Sequence, residues 1–299
     1  MFTRVVGKLR RDGVLGVGRA VYRRVFPERF RQLPDCERFF RGKAGLEIGG
    51  PSPVFGTRGA LPVYPMAAQI DNCNFASSTV WEGQVVEGQT FLFDRRRPAG
   101  RQFVAEASRL TMVADESYDF VLSSHCLEHL ADPFGALVEW MRVLRPAGVL
   151  ALVVPHKDAT FDHRRPVTNL QHLIDDRDRR TAEDDETHLD EVLRLTDLSL
   201  APGVADQASF EARSRRNVEN RCVHHHVFDT RLVLSVLNEV NLQVRAIEPM
   251  RPCHVVVIAE KMAQGTRAAN DVFLQPGSAT LRLSPFPSDR KISDAPLVS

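Results

Sequence analysis

Apolar and polar positions follow two rhythms along this chain. Short apolar runs bounded by glycine, proline or polar residues read as buried strands; runs whose apolar positions recur every three to four residues read as helices. Ala44-Gly-Leu-Glu-Ile48 is a strand running into the turn Gly49-Gly50-Pro51-Ser52. A second strand is read within 63–72, ending at Ile70-Asp71-Asn72, and a weaker third at Phe103-Val-Ala-Glu-Ala107. Tyr118-Asp-Phe-Val-Leu-Ser-Ser124 is the fourth and Val149-Leu-Ala-Leu-Val-Val-Pro155 the fifth. The fifth is apolar throughout, as a central parallel strand covered on both faces should be.

Helical spacing appears between these runs. Asp132 is a suitable N-cap and Pro133 a suitable first helical residue, followed by Leu137, Val138, Met141 and Leu144, with Pro146-Ala-Gly148 as the stop. A second helix follows Asp229, with Leu232, Val233, Val236, Leu237 and Val240 on one face. Val244–Ile247 and His254–Ala259 are the last two strands. The alternation predicts an α/β, Rossmann-like, mostly parallel sheet with helices on both faces. In such sheets ligands bind beyond the carboxyl ends of the strands, where strand order reverses.

Residues 156–226 break the alternation. They are polar and rich in charge and histidine, with helical pieces near 170–177 and 185–195. The segment reads as an insertion after the fifth strand, on the ligand side of the sheet. The chain therefore divides into a basic arm (1–35), a domain (36–262, with 156–226 inserted) and a tail (263–299). The tail is rich in Pro, Ser and Arg and is expected to be loosely packed or disordered.

Net charge is +1, with no global nucleic-acid signature. The arm concentrates Arg4, Lys8, Arg10, Arg11, Arg19, Arg23, Arg24, Arg29 and Arg31 among apolar residues. It is either a basic helix packed on the domain, an organelle presequence, or a peripheral contact with an anionic membrane; Gly7, Gly13, Gly16 and Gly18 weaken a continuous helix. The five cysteines form no C-x-x-C pair, which suits free thiols in a reducing cytoplasm. No apolar run is long enough to span a bilayer.

The glycine turn after the first strand allows close approach of a nucleotide-like ligand. Asp71, about twenty residues on at the end of the second strand, is placed to accept the ribose hydroxyls of an adenosine, or to cap its own turn. No G-x-G-x-x-G follows the first strand, which disfavours a nicotinamide dehydrogenase.

The central block carries the most specific signal. Tyr118-Asp119, Leu127-Glu128-His129, Asp132-Pro133 and Arg142-Val-Leu-Arg-Pro146 closely resemble the fourth-strand block of class I S-adenosylmethionine (SAM)-dependent methyltransferases. The resemblance runs from about Lys43 to Pro155, and the last helix and two strands fit the family's closing topology. It implies SAM as cofactor, with Glu47 and Gly49 around its methionine part, Asp71 on the ribose, Glu106 and Ala107 near the adenine, and Ser124 and His125 beside it. Only the first glycine of the family's acidic-x-Gly-x-Gly-x-Gly loop is retained in phase; Gly50 is the residue that keeps close approach open.

Transfer to a hydroxyl benefits from a general base or a metal. His129, His156 and His163 are the candidate bases, each of which could equally be structural. Arg164, Arg165 and His224, His225 and His226 are candidate acceptor contacts, since the arginines suit a carboxylate or phosphate. Asp162, His163, Glu183, Asp184, Asp185 and His188 have no diagnostic ligand spacing, so no metal is expected. The expectation is methyl transfer to a small-molecule or glycan-like acceptor at oxygen. The alternative is a non-catalytic SAM-binding module docking on a partner or membrane.

Overall fold

The computed structural model describes residues 28–275 and 277–293. Ten strands are present among them: β1 Ala44–Ile48, β2 Gln69–Asn74, β3 Ser78–Thr79, β4 Gly83–Gln84, β5 Gly88–Phe91, β6 Gly100–Val104, β7 Tyr118–Ser124, β8 Leu144–Pro155, β9 Leu242–Met250 and β10 His254–Lys261. The main sheet has eight, in the order β5-β6-β2-β1-β7-β8-β10-β9; β3 and β4 form a separate hairpin. β6, β2, β1, β7 and β8 are mutually parallel. β10 runs antiparallel to both β8 and β9, and β5 closes the other edge antiparallel to β6. The order reverses at β1, so the crevice that such sheets use for ligands lies at the carboxyl ends of β1 and β7.

The apolar run of β8 is explained by its two faces. Leu150, Leu152 and Val154 join one core cluster, and Val149, Ala151 and Val153 join the other. The first face is covered by α2 (Pro133–Val143), through Phe134, Leu137 and Trp140, and by α7 (Thr230–Glu239), through Leu232, Val233, Val236 and Leu237. Both helices start as their sequences require. Asp132 accepts from the Gly135 amide at 2.7 Å and Asp229 from the Leu232 amide at 2.7 Å, each satisfying an amide with no partner inside its helix. The second face is covered by irregular chain and short helical turns. These are α1 (Leu33–Cys36) with the 3-10 turn Glu37–Phe39, and the stretch 53–67 that begins with the turn Pro53–Phe55; Phe40, Phe55, Leu61 and Tyr64 are buried there.

The insertion carries α3 (Leu170–Arg179), α4 (Leu189–Leu195), α5 (Gln207–Ser214) and α6 (Asn217–Asn220). It packs on the first face through contacts of α3 with α2 and α7. After the sheet come α8 (Asp271–Leu274), α9 (Ala279–Arg282) and α10 (Pro287–Ser293).

Several boundaries differ from those expected. β2 runs on to Asn74, because the polar Asn72 and Asn74 side chains are buried in a hydrogen-bonded network with Gln102. α2 ends at Val143, and Arg145-Pro-Ala-Gly148 belongs to β8. α4 starts at Leu189. Residues 30–35 belong to the domain rather than to an arm: Phe30 and Leu33 are core residues, and Arg31 pairs with Glu248 at 2.6 Å. The proposed membrane contact of the arm falls chiefly on residues 1–27, outside the described residues.

The described part of the tail is also packed, contrary to expectation. Leu281 and Phe286 are buried, and the buried Asp289 carboxylate accepts from the Thr230 and Ser284 hydroxyls at 2.6 Å each. A buried carboxylate satisfied in this way ties residues 284–289 to the start of α7. None of the described helices is long and apolar enough to cross a membrane.

Candidate active site

A cleft of about 620 Å³ opens at the carboxyl ends of β1, β2, β6 and β7 and is closed over by the insertion. Its floor is made from strand ends. Gly49 has φ +77°, a left-handed conformation that favours glycine, and its amide donates to the Cys73 carbonyl at 2.8 Å. Beneath the turn lies the fully buried Glu47. Its carboxylate accepts from the Ser52 amide at 2.9 Å and the Tyr64 hydroxyl at 2.7 Å. Burial outweighs these bonds and pushes the Glu47 carboxyl up to about 8. A Cβ on Gly50 would sit 2.2 Å from that carboxyl carbon. Gly50 is therefore required by packing on Glu47, and Glu47 positions the loop from below without itself lining the cleft.

Gly49, Glu106, Ala107, Ser124 and His125 all line this cleft. Trp140 of α2 donates to the Ala107 carbonyl at 2.9 Å, which fixes the turn after β6. Asp71 does not line the cleft. It lies three residues before the end of β2, and its carboxylate is occupied by the Tyr118 hydroxyl at 2.7 Å, the Arg101 amide at 2.8 Å and the Gln69 amide group at 3.0 Å. The strand-end residue that reaches the cleft is Asn74. Its side chain donates to the Gly50 carbonyl at 3.2 Å and accepts from Gln102 at 2.9 Å. The continuation of β2 past Asn72 is what displaces the expected role.

The histidines separate clearly. His156 is fully buried, stacked on Phe286 with ring centroids 4.0 Å apart and 3.3 Å from Asp289. It anchors the tail and has no access to the cleft. His163 and Arg164 both pair with Asp197, at 3.0 and 3.2 Å, on the outer side of the insertion. Arg165 is buried and bridges Glu191, Asp162 and the carbonyls of His224 and His225. It organises the insertion from within rather than meeting an acceptor. His225 bonds Asn217 at 3.0 Å and His226 the Ala131 carbonyl at 3.3 Å; neither lines the cleft.

His129 and His224 do line it. They meet edge to face, 4.5 Å between centroids, and His129 packs in the same manner on Trp81 at 5.4 Å. The Nδ1 of His129 faces the Val223 carbonyl at 3.1 Å, and that of His224 the Asp162 carboxylate at 2.5 Å. The Nε2 atoms of both rings lie 4.0 Å from one oxygen of Glu128. Glu128 is buried in the short turn Leu127–His129, and among the described residues neither carboxylate oxygen has a hydrogen-bond partner.

Burial pushes the Glu128 carboxyl up to about 7. Burial also holds His129 well below the ordinary imidazole range. For His224 burial works in the same direction, but Asp162 and Glu128 outweigh it and raise its proton affinity. His125 (φ +52°) contacts His254, Nε2 to Nδ1 at 2.9 Å, and burial lowers its proton affinity to about 3. Arg221 spans the wall between Glu106 at 2.7 Å and Glu183 at 2.5 Å, its guanidinium 5.2 Å from the Phe75 ring centre.

Glu128 and Arg221 are site residues that sequence reasoning did not single out, and Asp162 was weighed there only as a metal ligand. For Glu128 a signal was available in its place within Leu-Glu-His after β7. Among the described residues, donor atoms converge in three places: Glu128, His129 and His224; His125, Cys253 and His254; and His172, Asp176, His188 and His226.

The site fits SAM. The cleft lies within the usual volume range for small-molecule pockets, about 300–1,000 Å³. It is built at the strand-order reversal, the glycine turn leaves backbone open to it, and the buried Ser124 hydroxyl beside it has no partner among the described residues.

Residues 82–152 match the family model of a methyltransferase domain. No curated protein matches the chain. Similar solved structures include a SAM-dependent methyltransferase of Methanosarcina mazei, 16% identical, covering 77% of this chain and 98% of that one, with TM-score 0.44. A second, from Mesorhizobium loti, is 12% identical over 77% and 97%, with TM-score 0.42. A third, from Aquifex aeolicus, is 12% identical over 77% and 89%, with TM-score 0.41. The methyltransferase model is matched across the central strands of this mostly parallel sheet, so residues 82–152 carry a methyltransferase domain.

Proposed function

We propose that the enzyme methylates a hydroxyl group of a small, glycan-like acceptor, with His224 as general base. The observation that carries this is the pairing of a buried, unpartnered Glu128 carboxylate with a His224 ring whose Nδ1 is already engaged by Asp162. Asp162 takes the Nδ1–H, so the neutral ring keeps its lone pair on Nε2, directed toward Glu128 and the cleft. A hydroxyl lying between them has one proton to give: it can donate to Nε2 and accept from the Glu128 carboxyl, which burial pushes up to about 7 and so keeps partly protonated near neutrality.

SAM bound on the floor supplies a methyl group already activated by a sulfonium. Gly49, Asn74, Glu106, Ala107 and Ser124 would hold it, with Glu47 fixing the loop beneath. The residues of this chain then align and deprotonate. Glu128 orients the acceptor hydroxyl. His224 Nε2 would take the proton of that hydroxyl, leaving the acceptor oxygen as the nucleophile that bound SAM would methylate. Alignment of the acceptor hydroxyl in the cleft would supply much of the remaining rate enhancement.

Trp81 supports the glycan-like reading. It stands 54% exposed, braced by His129, at the cleft. It offers the flat apolar face that a sugar ring covers with its axial hydrogens, while carboxylates and histidines reach its hydroxyls.

The test is incubation of the full chain with methyl-labelled SAM and an extract of small metabolites and glycans, followed by mass spectrometry of the labelled product. A methyl ether on a hydroxylated compound is the expected result; a methyl group on nitrogen or carbon would overturn the reading.

A further inference from the structure

We propose that His172, Asp176, His188 and His226 form a structural site for one divalent transition-metal cation of the zinc class, separate from the methyl-transfer cleft. His172 and Asp176 stand one helical turn apart on α3, His188 immediately precedes α4, and His226 lies in the chain leading to α7. One donor atom from each converges so that all four lie within 4.8 Å of one another. His172 Nε2 is 3.0 Å from His188 Nε2 and 3.2 Å from Asp176 Oδ2. His226 Nε2 is 3.8 Å from the same Asp176 oxygen. Tetrahedral zinc with bonds of about 2.0–2.1 Å places its ligands about 3.3–3.4 Å apart, so two of these separations need little adjustment and the third a few tenths of an ångström.

The polar accounting points the same way. Asp176 is 3% exposed, and its Oδ2 has no hydrogen-bond partner among the described residues, although a buried carboxylate oxygen left unpaired is costly. Its other oxygen is fixed by Arg179 at 2.8 Å and Thr181 at 3.1 Å. That leaves Oδ2 aimed at the imidazoles, the supporting arrangement that metal-binding carboxylates have. His226 is 1% exposed and its Nδ1 also lacks a partner. Two imidazoles meeting Nε2 to Nε2 beside a carboxylate are best matched when both lone pairs face a cation. Three nitrogens and one oxygen suit zinc better than calcium or magnesium, which take oxygen ligands. His172 and His188 are half-buried, giving the ion an entry path.

The consequence for the fold is specific. The ion would tie α3 and the start of α4 to the 224–226 segment, whose first residue is the cleft histidine His224.

Chelator-treated full-length protein titrated with Co²⁺ tests this. The expected result is one equivalent bound, with the visible absorption of tetrahedral cobalt, bleached by equimolar Zn²⁺. His188→Ala and His172→Gln, both at half-buried positions, should weaken cobalt binding at least 100-fold with an unchanged far-UV circular dichroism spectrum. Glu128→Gln, in the cleft's own donor cluster, should leave the band intact. Absence of a stoichiometric band in the wild type overturns the site, even where a variant fails to fold. So does a band that survives His188→Ala, or one abolished only by Glu128→Gln.

Discussion

The Asp162 carboxylate lies 2.5 Å from Nδ1 of His224, across 62 residues of sequence, and the opposite nitrogen of that ring, which lines the cleft, lies 4.0 Å from a Glu128 carboxylate oxygen. Burial alone would raise the Asp162 carboxyl, but His224 and Arg165 beside it outweigh burial and hold it below the usual carboxylate range. It therefore remains an acceptor for the His224 Nδ1–H. Asp162→Asn should lower kcat by at least about tenfold, because the ring loses the contact that fixes its tautomer. SAM affinity, measured by calorimetry, should stay within twofold of wild type. An equal loss in both would show that Asp162 acts only through stability.

Asp71 and Asn74 make opposite predictions for cofactor binding. Asp71 is committed to Tyr118, Arg101 and Gln69 outside the cleft, whereas Asn74 faces it and holds the Gly50 carbonyl. Asn74→Ala should weaken SAM binding by about three- to tenfold, the worth of one or two hydrogen bonds of about 0.5–1.5 kcal/mol. Asp71→Asn should leave it within twofold. The reverse ranking by calorimetry would restore the carboxylate to the ribose.

Much of this site was legible in the sequence, and the rest was hidden for identifiable reasons. Asp132-Pro133 and Asp229 announced their helices because a cap acts on amides only two or three residues away. The apolar run of β8 announced burial on both faces. The end of β2 was hidden because Asn72 and Asn74 look like loop residues until Gln102, 28 residues beyond Asn74, pairs with them. The histidines could not be sorted locally. His156 is explained by Asp289, 133 residues away, and His224 by Asp162. Arg165 reads as a surface cation, yet it is buried by partners brought from α4 and from the 224–225 segment. His172 and Asp176 carried a readable signal, a ligand pair at helical i,i+4 spacing, that composition alone did not bring out.

Glu47 should leave a trace in the pH dependence of stability. Its proton affinity in the folded protein is raised by burial to about 8, from an ordinary value of 4.5. A carboxyl shifted upward in this way contributes stability that is fully present below pH 4.5 and is lost as pH rises through about 8. Glu47→Gln keeps an acceptor for the Ser52 amide and cannot ionise, so that loss should be missing. The melting temperature of the cofactor-free variant should therefore fall less than that of wild type between pH 5 and pH 8. Parallel curves for the two proteins would mean that Glu47 does not ionise differently in the folded and unfolded states.

The central claim is that His224 acts on the acceptor and not on the cofactor. Methyl-transfer rate and SAM dissociation constant should be measured together on wild type and His224→Ala, with the acceptor identified by labelling. Loss of a general base predicts a fall in kcat of about 10²–10⁴-fold, with SAM affinity within twofold of wild type. Turnover retained within tenfold, or SAM binding lost in proportion to turnover, would contradict the account.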